Sequence, residues 1–339
     1  MNHYCTYFDE GFLARGLVLW QSLRRHDPAA VLWVLALDEV TAAAVRARSE
    51  PDLRAVALAE VEAGDAALAA AKAGRSKVEY YFTLSPCWPR WLLRTQPGID
   101  RLVYLDADLM FFASPQPIWE GLNAGSILLC SHRLPDFLRH FERHGKYNVG
   151  VLGWRRDVPG LACLDWWRER CLEWCHDRLE PTRYADQKYL EEWPRLFPGV
   201  VECGHPGVNL APWNWMVPPM EATPSGVRVD GRPLVVFHFA ALRRIGDDRW
   251  DSGQLDYGIM PGAVRQAIYG PYLDALVAQS GRQATGRRPP PFRRWLLLFL
   301  WGAVWRRRPD GRITPVGGLL SGPSSGRWLA RWRGEKAVP

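Results

Sequence analysis

The sequence predicts an α/β fold built around a parallel sheet, and three observations predict it. Apolar runs such as Val31 to Leu37 (VLWVLAL), Leu102 to Leu105 (LVYL) and Leu234 to Phe239 (LVVFHF) read as strands covered on both faces. Amphipathic helical stretches alternate with these runs, as βαβ units require. Helix and strand also interleave over some 280 residues without a linker-like break, so a single domain is expected over 1–281.

Taken in order, His3 to Tyr7 reads as a short strand and Phe8 to Gly11 as a turn. Phe12 to His26 is a helix with Leu13, Gly16, Leu17, Trp20 and Leu23 on one face. After the strand at Val31, Thr41 opens an alanine-rich helix, and Leu53 to Leu58 is a weaker strand. Lys77 to Thr95 is helical, with Pro86 and Pro89 expected to bend or break it. The LVYL strand ends abruptly in Asp106-Ala107-Asp108. Ile127 to Cys130 and Val149 to Leu152 are further strands, Pro159 to Leu179 a long amphipathic helix, and LVVFHF the last strand.

Composition separates a body from a tail. The formal charge is +7, yet residues 282–339 hold twelve Arg and one Lys against Asp310 and Glu335, a net of +11, which leaves −4 for the rest. The tail opens on a proline-rich hinge, Arg287 to Pro291, and continues as Trp295 to Trp305 (WLLLFLWGAVW) between arginine clusters. Tryptophans at 295, 301 and 305 favour a headgroup boundary, and arginines favour anionic lipid, so the tail is expected to dock on an anionic membrane. A nucleic-acid tail would share the charge but has no use for Leu296 to Leu300. No run reaches the ~20 apolar residues of a spanning helix. Met1 to Cys5 lacks the basic start and apolar run of a signal peptide. Seven scattered cysteines without a CxxC pair point to reduced thiols, and Cys171 and Cys175 to buried small residues. A cytoplasmic enzyme, peripheral on the inner membrane face, is the expectation.

The chemistry gathers at a few positions. A buried strand that ends in Asp106-x-Asp108 delivers two carboxylates to the open edge of a parallel sheet, where ligands of such folds bind. Carboxylates there suit a hard cation, Mn²⁺ or Mg²⁺, shared with a diphosphate. His238 lies inside the apolar strand VVFHF; it is either a hydrogen-bonded core residue or a further ligand for Mn²⁺. Arg243 and Arg244 follow it, and guanidinium groups hold phosphate oxygens bidentately. Asp186-Gln187 precedes KYLEEW, where the carboxylate is either a helix cap or a functional group. Asn148 is either a turn residue before a strand or a ligand contact, and Arg75 and Lys77 precede the aromatic run Tyr80-Tyr81-Phe82.

The order of these pieces carries more than any one of them. Arg75/Lys77, Asp106-x-Asp108, Asn148-x-Gly150, Asp186-Gln187, Pro206-x3-Leu210-x2-Trp213-Asn214 and His238-Phe239 together resemble the retaining glycosyltransferases of the GT-A fold, a Rossmann-like nucleotide-diphospho-sugar transferase architecture. The likeness is to family 8, the glycogenin and lipopolysaccharide galactosyltransferase group, and covers roughly residues 3 to 245. It implies metal ligation by Asp106, Asp108 and His238, and places Asn148, Asp186 and Gln187 around the transferred sugar. It implies donor-nucleotide contacts for Thr6, Tyr7 and Asp9 in the first strand and turn, and for Arg75 and Lys77. The family usually shows His-Phe-x-Gly followed by Lys-Pro-Trp; this chain has His238-Phe239-Ala240-Ala241-Leu242-Arg243-Arg244, which leaves the diphosphate contact open between the two arginines.

The expected activity is therefore metal-dependent transfer of a sugar from a nucleotide-diphosphate donor, a UDP-sugar favoured, to a carbohydrate or lipid-linked acceptor hydroxyl. Retention is implied by the resemblance; an inverting enzyme would need a general base, for which Asp136, Glu142 and Asp247 are candidates. A DxD phosphatase wants its motif on the first strand, and a nucleotidylyltransferase wants a glycine-rich loop where this chain has Phe8-Asp9-Glu10-Gly11. A non-catalytic membrane- or nucleic-acid-binding protein led by the basic tail is the rival outside enzymes.

Overall fold

The computed structural model describes residues 1–246, 249–280, 304–308 and 313–316. Contacts divide the chain into two compact units. The first holds Met1–Leu109, Ser114–His132 and Phe141–His205; the second holds Met110–Ala113, Arg133–His140 and the described residues from Pro206 onward. The chain crosses between them at short, ordinary-looking segments, which is why the sequence shows one unbroken run of elements.

In the first unit β1 (Asn2–Phe8), α1 (Leu13–His26), β2 (Ala30–Ala36), α2 (Glu39–Arg46), β3 (Leu53–Ala57), α3 (Leu58–Ala63), α4 (Ala66–Ala71), α5 (Lys77–Thr95) and β4 (Arg101–Leu105) follow one another. β5 (Leu109–Phe111) runs into the second unit, and α6 (Gln116–Asn123), β6 (Ile127–Ser131), β7 (Tyr147–Arg155), α7 (Val158–Glu173), α8 (Trp193–Leu196) and β8 (Val200–Glu202) complete the first. Seven strands form one sheet in the order β3-β2-β1-β4-β7-β6-β8. The β1, β2, β3 and β4 strands pair in parallel, while β7 runs antiparallel to both β4 and β6. The expected α/β class is the observed one: a parallel-rich sheet with one reversed strand, β7.

The local chemistry explains the elements. Every residue of β2 is buried, so its apolar run has both faces covered. Gly16 lets α1 lie against β1, because a Cβ there would sit 2.2 Å from the Phe8 ring. Asp38 caps α2 by accepting from the Thr41 N–H at 2.7 Å. α5 runs continuously from Lys77 to Thr95 with Pro86 and Pro89 inside it, so of the bend or break that the sequence predicts there, the break does not occur. Each proline removes one backbone donor, but Leu84, Trp88, Leu92 and Leu93 are buried in the core along the same helix, and that burial outweighs the loss. α7 stops at Glu173, short of the expected Leu179, because Trp174 turns extended. Much of the tryptophan count is core: Trp154 stacks on Trp167 at 6.0 Å, and Trp193 meets Trp167 edge-on at 5.2 Å. The cysteines are all free, and Cys171 and Cys175 are fully buried as expected.

In the second unit the meander and the four-stranded sheet are antiparallel. β9 (Met220–Thr223), β10 (Gly226–Val229) and β11 (Arg232–Pro233) form a meander, and β12 (Val236–His238) pairs with β5. β13 (Arg243–Gly246), β14 (Arg249–Asp251), β15 (Val304–Arg307) and β16 (Ile313–Val316) form a four-stranded sheet, and α9 (Gly262–Ser280) belongs to the same unit. One expectation needs correction here. Trp305 was assigned to a lipid boundary, but it is fully buried on β15 and stacks on Tyr269 at 5.8 Å, so it serves this unit's core. Trp295 and Trp301 lie outside the described residues. No helix among the described residues is long and apolar enough to cross a membrane.

Candidate active site

β4 carries Tyr104 and ends at Leu105, so Asp106 and Asp108 fall just past the carboxyl end of a buried strand. The Asp106 N–H donates to the Gly150 carbonyl at 3.0 Å, and its Oδ1 accepts from the Tyr104 hydroxyl at 2.8 Å. β7 is antiparallel to β4, so its first residues lie beside the strand end that carries the aspartates. Asn148 is one of them. It stands within the strand rather than in a turn, and its Oδ1 accepts from the Gly150 N–H at 3.0 Å. Its Nδ2 donates to Gln187 Oε1 at 3.4 Å, and Gln187 in turn donates to the His144 carbonyl at 3.1 Å. The structure thus brings together Asn148 and Gln187, two of the three sugar-facing residues expected.

Asp186, the third, is buried and caps no helix. It follows Ala185, whose φ of +46° is a left-handed conformation that a non-glycine residue adopts at a cost. The Trp167 indole N–H fixes the Asp186 carbonyl at 2.8 Å. Burial pushes the Asp186 carboxyl up to about 7; the Asp106 charge raises it further, and a hydrogen bond from Ser85 works the other way.

Asp106, Asp108 and His238 each offer a ligand atom, and these atoms lie within 4.8 Å of one another. Local pairing explains the meeting: β5 starts one residue after Asp108 and pairs with β12, which ends in His238, while Phe112 N–H donates to the Val235 carbonyl at 2.8 Å. Two carboxylates and an imidazole fit Mn²⁺ or Mg²⁺. Asp108 also faces Arg15 Nη1 of α1 at 3.6 Å.

The nucleotide-side residues divide. Asp9 pairs with Lys77 Nζ at 2.8 Å and accepts from the Tyr81 hydroxyl at 3.2 Å, which holds Lys77 well above the usual lysine range. Tyr7 turns its hydroxyl to Ser85 Oγ at 3.0 Å. Thr6 is wholly buried, and its hydroxyl has no hydrogen-bond partner among the described residues. Arg75 is placed otherwise than expected. Its guanidinium donates to Thr83 Oγ1 and to the Cys171 and Leu172 carbonyls at 2.6 to 2.7 Å, closing the C-terminus of α7. Arg243 and Arg244 are neighbours on β13 and so point to opposite faces. Arg243 pairs with Asp251 at 3.0 Å, and Arg244 donates from Nε to the Gly246 carbonyl at 3.1 Å. Asp136 pairs with exposed Arg139, and Asp247 lies outside the described residues.

Sequence reasoning missed Arg15, Ser85 and Tyr104. Only Tyr104 left a signal, standing two residues before Asp106, where a strand returns to the same face.

No family model matches the chain. Among solved structures it is similar to the galactosyltransferase LgtC in complex with donor and acceptor sugar analogs (17% identity, 70% of this chain and 87% of that one, TM-score 0.45). It is also similar to mouse xyloside xylosyltransferase 1 in its apo form (16%, 71% and 98%, TM-score 0.44). Among curated proteins, the uncharacterized protein YfnD of Bacillus subtilis (strain 168) is 27% identical over 274 residues, covering 80% of this chain and 87% of YfnD. The uncharacterized protein YfnF of the same organism is 32% identical over 250 residues, 71% of this chain and 81% of YfnF. With identity at that level over most of both chains, this protein belongs to the family of YfnF.

Proposed function

We propose that the chain is a metal-dependent glycosyltransferase that moves a sugar from a nucleotide-diphosphate donor, a UDP-sugar by preference, to an acceptor hydroxyl with retention of configuration. The observation that carries the reading is the convergence of Asp106, Asp108 and His238 within 4.8 Å, at the end of a strand that also leads to Asn148 and Gln187. A divalent cation there would supply positive charge for a departing nucleoside diphosphate.

The chain's own residues do the rest. Asn148 and Gln187 hold each other at hydrogen-bond distance, so their remaining amide groups present a fixed pair of donors and acceptors to sugar hydroxyls. Asp186, when ionised, stabilises positive charge that develops at the anomeric carbon. Asp9, Lys77 and Tyr81 form an ion-paired, aromatic cluster suited to a nucleoside. One of Arg243 and Arg244 contacts the diphosphate, since adjacent strand residues cannot both face it. Arg75 serves the helix and leaves nucleotide binding to Lys77. A carbohydrate or lipid-linked acceptor, as in envelope polysaccharide or glycolipid synthesis, fits a peripheral enzyme whose tail residues 293–301 dock on an anionic inner membrane face.

A thermal-shift screen of nucleotide sugars with and without Mn²⁺ tests the reading, because a ligand that binds only the native state raises its melting temperature. A nucleotide sugar that stabilises the protein only with Mn²⁺, followed by donor hydrolysis, supports it. Stabilisation by nucleic acid or anionic vesicles alone contradicts it.

A further inference from the structure

β6 and β7 pair antiparallel, with Cys130 opposite Asn148 and Ser131 opposite Tyr147. The ladder runs one step past both strands, where the His132 N–H donates to the Lys146 carbonyl at 2.9 Å. His132 stands two residues after Cys130, so its side chain returns to the face that carries Asn148, at the diagonal position from which cross-strand side chains still reach each other. Its Nε2 lies 3.4 Å from Asn148 Nδ2, and its Nδ1 lies 3.1 Å from the same Lys146 carbonyl that takes its backbone N–H.

Each contact can run in only one direction. A carbonyl oxygen only accepts, so Nδ1 carries the proton that faces Lys146. The Asn148 amide cannot be turned over, because its Oδ1 accepts from the Gly150 N–H at 3.0 Å. Its Nδ2 therefore faces both His132 Nε2 and Gln187 Oε1, and an amide nitrogen only donates. Nε2 must then be the bare, accepting nitrogen of a neutral ring, which is what a proton on Nδ1 leaves it to be. Gln187 agrees: with Oε1 toward Asn148, its Nε2 donates to the His144 carbonyl at 3.1 Å. The contacts, assigned one by one, are consistent throughout.

We propose that His132 is a positioning residue for the transferred sugar: held as its Nδ1–H tautomer by the Lys146 carbonyl, it accepts from Asn148 and so fixes the amide pair of Asn148 and Gln187. This rests on the proposed glycosyl transfer, and deepens it by naming what aims the sugar-facing amides.

The test separates the two ring nitrogens on the full-length protein. A Gln side chain places an acceptor near the position of Nε2, and an Asn side chain places a donor near that of Nδ1. His132→Gln therefore keeps the contact with Asn148 and loses the one with Lys146, and His132→Asn does the reverse. Hydrolysis of UDP-glucose, UDP-galactose and UDP-N-acetylglucosamine is measured with Mn²⁺, and calorimetry with UDP alone reads binding without the sugar. A neutral hydrogen bond is worth about a 3- to 10-fold change in a rate or equilibrium. His132→Asn should slow hydrolysis of the donor that wild type uses by that factor, with UDP affinity within about twofold, and His132→Gln should restore most of the rate. Full rate in His132→Asn, or an equal loss in His132→Gln, would overturn the proposal. Long-range proton–nitrogen NMR of the metal-free protein gives a readout free of activity, with the His132 signals assigned by their loss in His132→Gln. Wild type should carry its ring proton on Nδ1 with Nε2 bare. Asn148→Asp sets an acceptor against Nε2, so that nitrogen should stay protonated to higher pH than in wild type. A wild-type ring with its proton on Nε2, or an Nε2 that titrates alike in both proteins, would also overturn the proposal. A wild type that hydrolyses none of these donors defeats the glycosyl-transfer reading, while the nitrogen spectra still decide whether His132 holds Asn148.

Discussion

Asp186 concentrates the residue-scale argument, because its carboxyl is buried, pushed up to about 7 and set beside a strained Ala185. If the ionised form faces the sugar, kcat should rise with pH through about 7 and level above it, and Asp186→Asn should abolish that limb along with most of the rate. The stability sign is the reverse of a salt-bridged aspartate. A carboxyl whose folded value lies above its unfolded one stabilises the protein fully below the unfolded value, and that stability is lost as pH rises to about 7. Wild type should therefore lose melting temperature relative to Asp186→Asn between about pH 4 and 7. Equal pH profiles for the two proteins would show that the carboxyl is not desolvated in solution. Asp106 and Asp108 were legible in the sequence because a buried strand has one defined end and few reasons to finish in two acids. Ser85 and Arg15 were not, since a helical serine before a proline and a helical arginine acquire meaning only from what the fold sets beside them. Arg75 shows the converse: it stood in the right order along the chain, yet its guanidinium was recruited by carbonyls 96 and 97 residues away.

At the scale of elements, α5 links scaffold and site. Its first turn is a capping box: Ser76 Oγ accepts from the Glu79 N–H at 3.3 Å, and Glu79 Oε2 accepts from the Ser76 N–H at 2.9 Å. Hydrogen bonds from the Ser76 backbone N–H and hydroxyl, with further help from His176, pull the Glu79 carboxyl down to about 2. Ser76→Ala should cost about 1 kcal/mol. Arg75→Ala should cost about 2 kcal/mol, because two α7 carbonyls lose their donor. Both are measured by denaturant unfolding, and for Arg75→Ala donor affinity is the discriminating readout. A weaker donor with unchanged stability would return Arg75 to the nucleotide. Strand and helix order was legible from period and burial, and most boundaries fell within a few residues. Of the bend or break expected at Pro86 and Pro89, the break did not form, because local proline chemistry is weaker than the burial of the flanking Leu84, Trp88 and Leu92.

For the whole molecule, the tail expected to be a separate docking arm also contributes strands. β15 and β16 extend the sheet of β13 and β14, and Trp305 fills the second unit's core. A proline-rich hinge and an arginine run hide such strands, since charge dominates composition while, among the described tail residues, only Val304, Trp305 and Ile313 are buried. Trp305→Ala should destabilise the second unit by ~3–5 kcal/mol, seen as an earlier melting transition. Replacing Trp295 and Trp301 by Ser, and Arg293 and Arg294 by Gln, should leave melting unchanged and release the protein from anionic liposomes in a sedimentation assay. Retained sedimentation would end the docking proposal without touching the catalytic one. The catalytic claim has its own direct measurement: calorimetric titration of a nucleoside diphosphate into wild type and Asp108→Asn, each with Mn²⁺ and with EDTA. The account predicts tight binding only to wild type with Mn²⁺; equal binding in all four mixtures would contradict it.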